Sequence, residues 1–338
     1  MTIEELEKEL KNGKLANIYV LYGEELFLLE SCLKRIKKNF GELAPGINFI
    51  QIDDTNLNTL ISELQTPAFG YSKKLIVVKN TNILKKETKK RGFSTDLASV
   101  KEKLNEYLQT NLEENVLVFI EEAIDKTELL NLIEKNGGAV CNFEFQKPFQ
   151  IEQRLKSICN AYKVNIASST INHLIYVSGT NMQNLINEIR KLIEYAGENG
   201  TIQNEDIDAL CIKTIDSNIF DLTDKMGKKN ITEVIRILNE LIYSKEPIQK
   251  ILITLYSHFK KLYTVKLADQ ENKNVAIELN LKPNQTFLVN KYKTQSKYFE
   301  SKELQVILQE LINLDYSYKI GKIDLNIGLE SILCRYCS

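Results

Sequence analysis

The first part of the chain alternates between two hydrophobic rhythms. Ile3, Leu6 and Leu10 share one helical face up to Gly13, and Thr2 with Glu5 has the spacing of a capping box. The apolar run Asn17-Ile18-Tyr19-Val20-Leu21-Tyr22 then predicts a buried strand. A helix follows at once, carried by Leu26, Leu29, Leu33, Ile36 and Phe40. Next come a strand at Phe49-Ile50-Gln51-Ile52, a helix over 56–64 and a strand at Leu75-Ile76-Val77-Val78. A helix through Leu97, Val100, Leu104 and Leu108 precedes the run Val116-Leu117-Val118-Phe119-Ile120. A helix with Leu129, Leu130 and Ile133 ends at Gly137-Gly138, and a last strand covers Ala139 to Phe145. Strands alternating with helices in this way predict a parallel sheet covered on both faces.

After Lys147-Pro148 the alternation stops. Residues 149–210 read as three or four helices, clearest over 181–195 through Met182, Leu185, Ile189, Leu192 and Ile193. From Asn218 onward the period is helical: 230–243, Pro247 to about Ala268, a short piece near 274–280, then 284–297 and 301–319. No internal repeat or low-complexity linker interrupts the chain. The expected organisation is an α/β domain over 1–147, a small helical domain over 148–212 and a larger helical domain over 213–338.

One stretch breaks the rhythm. The helical pattern Leu57, Leu60, Ile61, Leu64 runs into Pro67, which disfavours helix at the residue before it and cannot donate a backbone hydrogen bond. Gly70 loosens the chain, and Phe69 and Tyr71 stand on the turn between helix and strand. Two readings are open. Phe69 either tucks under its own domain or projects as an apolar anchor for a pocket on a partner.

An α/β domain followed by a small helical one is a common plan for nucleotide hydrolases, so the phosphate-binding parts can be sought by position. A phosphate loop would lie between the first strand and its helix, with backbone amides and a Lys facing the phosphates. That junction reads Tyr22-Gly23-Glu24-Glu25-Leu26-Phe27-Leu28-Leu29. It lacks the Lys and places two carboxylates where phosphates would sit. Like charges ~4 Å apart repel by about 1 kcal/mol even at the dielectric of water. The strand that would end in magnesium-holding acids ends instead in Lys79-Asn80. No bound nucleotide or other cofactor is expected.

Charge refines the picture only locally. The net charge of −1 creates no global attraction to nucleic acid or membrane, yet residues from 211 onward carry +4 and those before carry −5. No apolar run approaches the ~20 residues that span a bilayer, and the acidic, amphipathic start is unlike a signal peptide. A cytoplasmic protein is expected. Cys32, Cys141, Cys159, Cys211, Cys334 and Cys337 are spread through mostly apolar patterns, as buried free thiols in a reducing compartment would be. Cys334-Arg335-Tyr336-Cys337 has metal-like spacing, but a tetrahedral zinc site needs four ligands and no second pair or nearby His is present. No metal is expected. His173 and His258 lie in helical patterns without a partnered nucleophile, so no catalytic role is expected of them. Two basic segments stand out. Lys291, Lys293 and Lys297 interleave with Tyr292 and Tyr298 between Lys282 and Lys302, and a second run covers Lys85 to Arg91. Each is either a solvated face or loop, or a contact for nucleic-acid phosphates and bases.

Several segments in this order resemble the delta subunit family of bacterial DNA polymerase III, within the clamp-loader AAA+ group. They are Ile18-Tyr19-Val20-Leu21-Tyr22-Gly23-Glu24-Glu25, Pro67-Ala68-Phe69-Gly70 before Lys74-Leu75-Ile76-Val77-Val78, and Val118-Phe119-Ile120-Glu121-Glu122-Ala123-Ile124-Asp125-Lys126. Further on stand Gly179-Thr180-Asn181 with Asn187-Glu188-Ile189-Arg190-Lys191-Leu192, and Asp315-Tyr316-Ser317-Tyr318-Lys319-Ile320-Gly321-Lys322. The likeness runs essentially end to end. It implies an AAA+-like parallel-sheet domain with a degenerate nucleotide site, a helical lid and an all-α collar that joins a ring of subunits. Pro247-Ile248 through Leu262-Tyr263 would be a packing helix of that collar.

The departures from ATP-hydrolysing relatives agree with the resemblance. Ala139-Val140-Cys141 stands where those relatives carry an Arg finger, and Val140 cannot stabilise charge on a transferring phosphate. Met182 aligns with a phosphate-sensing Arg, and Arg190 lies two turns on. The resemblance implies a subunit without ATPase activity, not an enzyme by itself, inside a DNA-directed DNA polymerase holoenzyme. Its partners would be the sliding clamp, the ATPase and other loader subunits, and primed DNA, bound weakly alone. An apolar plug would open the clamp ring. The positions matching the plug are Ala68 and Phe69, flanked by Pro67 and Tyr71, with Phe69 carrying more of the contact because Ala68 is small. Lys291, Lys293, Lys297 and Tyr292 are candidates for DNA contact. The rival readings are an active P-loop enzyme, and a helical nucleic-acid-binding adaptor with no clamp interaction.

Overall fold

In the computed structural model, which describes residues 1–86, 95–110, 115–281, 285 and 288–337, the chain divides into two units, Met1–Phe145 and Gln146–Ser338. Of the basic run Lys85–Arg91 only Lys85 and Lys86 are among the described residues, and Lys282 lies outside them.

The first unit starts with α1 (Ile3–Lys11), whose Thr2–Glu5 capping box forms as the spacing predicts. It continues with β1 (Ile18–Tyr22), α2 (Leu26–Phe40) and β2 (Phe49–Ile52). A 3-10 turn at Leu57–Thr59 leads into α3 (Leu60–Gln65), then β3 (Lys74–Lys79) and α4 (Thr95–Thr110). β4 (Asn115–Glu121), α5 (Glu128–Lys135) and β5 (Ala139–Asn142) complete it. The five strands are all parallel, in the order β2-β3-β4-β1-β5. Side chains alternate between the two faces. Ile18, Val20, Ile76, Val78, Leu117 and Phe119 point to the face covered by α3, α4 and α5. The intervening Tyr19, Leu21, Leu75, Val77, Val116 and Val118 are equally buried on the other face, where α1 and α2 contribute Leu6, Leu10, Leu29, Leu33 and Ile36.

β5 is shorter than the sequence predicts because its ladder partner β1 ends at Tyr22 and turns away at Gly23. Phe143 N–H donates to Tyr22 O (2.6 Å) and Phe143 O accepts from Glu25 N–H (2.8 Å), so this residue clasps the turn that leaves β1. The approach is close enough to require glycine at position 23. Gly23 has φ +125°, and a Cβ there would lie 2.4 Å from Phe143 O.

The second unit opens with α6 (Pro148–Ala161), β6 (Asn165–Ile166), α7 (Ser168–Ser178), α8 (Met182–Ala196), β7 (Thr201–Ile202) and α9 (Asn204–Leu210). The short parallel pair β6–β7 is too brief for a periodicity to announce it. There follow α10 (Ile215–Gly227), α11 (Ile231–Tyr243), α12 (Ile248–Gln270), α13 (Val275–Glu278), α14 (Leu288–Ser296), α15 (Ser301–Lys319) and α16 (Leu325–Cys337). α10 and α16 add to the helices read from the pattern. α12 is the central helix of this part. Its Ile251, Leu252, Leu255, Phe259, Leu262 and Val265 are buried against α10, α14, α15 and α16.

His258 sits inside that core. Its Nε2 faces the Gln295 amide oxygen (2.8 Å) and the Thr223 hydroxyl (2.9 Å), while Gln295 Nε2 donates to Phe220 O (2.7 Å). Burial, with Lys261 nearby, lowers its pKa to about 4, although the Gln295 bond opposes the shift.

Two stability measurements follow. Gly23→Ala is expected to destabilise the chain by about 1–3 kcal/mol through strain at positive φ, read as a lower urea midpoint. For His258 the folded pKa lies below the unfolded value near 6.5, so the unfolded chain takes up the extra proton. This contribution is intact above about pH 6.5 and is lost as pH falls towards 4. Between pH 7 and pH 5 it amounts to about 2 kcal/mol, and that part of the acid sensitivity should be missing from urea titrations of His258→Gln.

Candidate interaction site at the Phe69 turn

α3 is held down by Leu60 and Leu64, both buried against the sheet. The chain leaves it at Thr66, whose N–H and hydroxyl both donate to Ser62 O (3.0 and 2.6 Å). Pro67 then makes continuation of the helix unfavourable. Tyr71 N–H donates to Ala68 O (3.0 Å), closing a four-residue turn with Phe69 and Gly70 at its centre. Gly70 has φ +83° and Phe69 an ordinary negative φ, the signature of a type II turn, which favours glycine at its third position.

Phe69 projects outward, with 89% of its surface exposed, the most of any large apolar residue among those described. Pro67 is exposed beside it, Ala68 is half-buried, and the half-buried Tyr71 lines a shallow groove of about 280 Å³ with Leu15, Phe40, Lys73 and Val116. The turn precedes β3, whereas the Gly23 turn follows β1. In a parallel sheet those two turns lie at opposite ends of the strands.

At the Gly23 turn three of the backbone amides are already engaged. Gly23 N–H donates to Glu121 O (3.3 Å), Glu25 N–H to Phe143 O and Leu26 N–H to Glu24 O (3.0 Å). Glu25 is buried, Lys79 pairs with Glu30 (3.0 Å), and burial raises the pKa of Glu121, which accepts a hydrogen bond from the Thr81 hydroxyl (3.1 Å). Val140 is half-buried on β5, and Met182 is buried at the start of α8.

The basic segment on α14 is arranged otherwise than its sequence suggests. Tyr292 is not available to stack on a base. It is buried in the core, its ring 4.8 Å from that of Phe220 and 5.3 Å from that of His258. The period of α14 places it on the inward face, and the lysines around it hid this. Lys291 Nζ lies 3.1 Å from the centre of the Tyr176 ring, and burial lowers its pKa while Asp221 opposes the change. Lys293 is paired with Asp269 (2.9 Å), and Lys297 is exposed. The collar helix predicted from Pro247 to Tyr263 turns most of its apolar side chains into its own core, as described for α12.

An apolar stripe missed in the sequence lies on α15. Ile312, Tyr316 and Ile320 are exposed at intervals of four, opposite the buried Leu304, Ile307, Leu311 and Leu314. The signal was present as a second apolar face on one helix, more than a single buried seam requires.

Known proteins place this geometry. A family model described as DNA polymerase III, delta subunit, matches residues 19–144, and one for the C-terminal domain of the same delta subunit matches residues 216–336. The chain is 25% identical over 336 residues to a DNA polymerase III subunit delta of Bacillus subtilis, covering 97% of this chain and 95% of that one. It is 27% identical over 314 residues to a probable DNA polymerase III subunit delta of Aquifex aeolicus, covering 90% and 86%. In fold it is similar to a solved Bacillus subtilis DNA clamp loader delta protein, with a TM-score of 0.76, 23% identity and 99% of both chains covered. With family models matching both the sheet domain and the helical C-terminal region, the chain belongs to the DNA polymerase III delta subunit family.

Proposed function

We propose that this chain is the clamp-opening subunit of a clamp loader, acting by contact and not by catalysis. Phe69, with Ala68, Pro67 and Tyr71, is the plug that enters a pocket on the sliding clamp. The single observation that carries this reading is the 89% exposure of Phe69 on a turn fixed by Gly70. Burying that ring in a partner contributes about 2–3 kcal/mol at ~25 cal/mol per Å², a factor of roughly 30–150 in affinity. A ligand that prefers the opened ring by that factor shifts its population accordingly.

The engaged Gly23, Glu25 and Leu26 amides, with two carboxylates and no lysine at the same turn, support the absence of ATPase activity, since they withdraw donors from a phosphate cradle. ATP-driven motion in partner subunits would then present or withdraw the plug. In this reading residues 1–147 bind the clamp, 148–212 form a lid and 213–338 a collar. The exposed Ile312, Tyr316 and Ile320 are suited to contact neighbouring subunits. No described helix is long and apolar enough to cross a membrane, which is compatible with work in the cytoplasm. Contact with primed DNA falls to Lys293 and Lys297, because Tyr292 is internal and Lys291 is held on Tyr176.

Calorimetry with purified sliding clamp tests the plug. Phe69→Ala should keep the fold and weaken binding by roughly 30–150-fold, and an unchanged affinity would overturn the assignment. For DNA, replacing Lys293 and Lys297 by Ala in the assembled loader should reduce the slope of log K against log salt by about 2. A slope that does not move removes DNA contact from this face.

A further inference from the structure

The arch from Gln65 to Lys73 carries the exposed Phe69 yet contains no fully buried residue of its own. Its only internal backbone bond is the one that closes the turn, Tyr71 to Ala68. Beyond the half-buried Ala68 and Tyr71, the orientation that Phe69 keeps is set at the two feet of the arch, Leu64 and Lys74, each only 2% exposed.

The feet are tied by side chains. A helix leaves its last four carbonyls without partners inside the helix. At the end of α3, Ser62 O is taken by Thr66, as described above. Glu63 O accepts from Lys74 Nζ (2.9 Å), which also reaches Glu63 Oε2 (3.3 Å). Leu64 O accepts from Asn115 Nδ2 (3.1 Å), which also donates to the Tyr107 hydroxyl (2.7 Å). Lys74 and Asn115 are register partners, side by side at the start of β3 and β4. Two neighbouring strands thus grip two consecutive carbonyls of the helix that enters the arch. Lys74 does more, since it is also the residue through which the chain leaves the arch. Its ammonium joins exit to entry across the mouth of the loop.

A buried lysine at the start of a central strand is costly to desolvate, and an apolar residue there would pack without that cost. A short helix can also end on water or on a glycine. The arrangement makes physical sense if the direction of the arch matters. Resting on the plug reading above, we propose that Lys74 and Asn115 are positioning residues. They hold the arch in its binding-competent orientation, so that the partner does not have to order it on contact.

A double-mutant cycle separates this from a merely structural role, because a residue acting only through Phe69 loses its effect when Phe69 is gone. The full-length chain is titrated into purified sliding clamp as wild type, F69A, K74M and the double variant, with thermal unfolding of each followed by circular dichroism. K74M is expected to weaken clamp binding by about tenfold in the presence of Phe69 and by less than about twofold in the F69A background. N115A runs the same cycle with one tie left in place, and carries the test if K74M does not fold. An undiminished loss in the F69A background, or none with Phe69 present, overturns the positioning role while leaving the plug intact. If F69A alone changes nothing, the plug reading fails and this proposal falls with it.

Discussion

Phe143 engages the turn that leaves β1 with both of its backbone groups, taking Glu25 N–H on its carbonyl and giving its own N–H to Tyr22 O. Buried peptide groups must be paired somewhere, and a pair made here is withdrawn from any ligand. In sheet domains of this plan the amides after the first strand are the usual anion cradle. This one exchange therefore bears on the kind of work the domain can do. Gly23 follows from it, because the turn passes too near Phe143 for a side chain. Glu24 and Glu25 add repulsion, but geometry acts first, since even neutral residues there would leave the Gly23 and Glu25 amides engaged.

An all-parallel sheet separates the two ends of its strands. Turns from strand to helix lie at one end of the strands and turns from helix to strand at the other, so the Gly23 turn and the Phe69 turn make no direct contact. At that second end the structure tolerates an exposure that burial in a core would remove. Leaving a phenylalanine in water forgoes about 2 kcal/mol, and a short polar loop would have joined α3 to β3 as well. The turn leaves the ring in solvent, and Gly70 makes its type II geometry accessible without strain.

The sheet was legible because buried parallel strands read as apolar runs: β1, β3 and β4 announced themselves that way, while the edge strands β2 and β5 are interrupted by Gln51 and Asn142. The end of β5 was not, since Phe143 is as apolar as a strand residue and the ladder stops only because β1 turns away at Gly23. Tyr292 was misread for a related reason: lysines on either side made the segment look solvent-facing, whereas the helical period puts position 292 inward beside Phe220 and His258. α10 mixes Ser217, Thr223 and Asp224 into its buried and half-buried positions, which blurs the apolar rhythm. Pro67, Phe69 and Gly70 could be singled out as a turn with an aromatic at its centre, but whether the ring faced in or out depends on which atoms surround it. The roles of Lys74 and Asn115 had no sequence signal at all, because each acts on a carbonyl far along the chain or across the sheet.

Magnitudes limit what the plug can do by itself. Even complete burial of Phe69 contributes about 2–3 kcal/mol, whereas a micromolar complex needs about 8 kcal/mol beyond the cost of association. A partner that binds through this turn must therefore draw on the surface around it. Pro67 is exposed, Tyr71 is half-buried, and the groove beside it offers Leu15, Phe40 and Val116 behind Lys73. Contacts of that kind would form whether the partner is open or closed and would set the overall affinity. The ring of Phe69, reaching furthest from the domain, is the group whose burial can differ between two states of the partner. Only such a difference can shift an equilibrium between them.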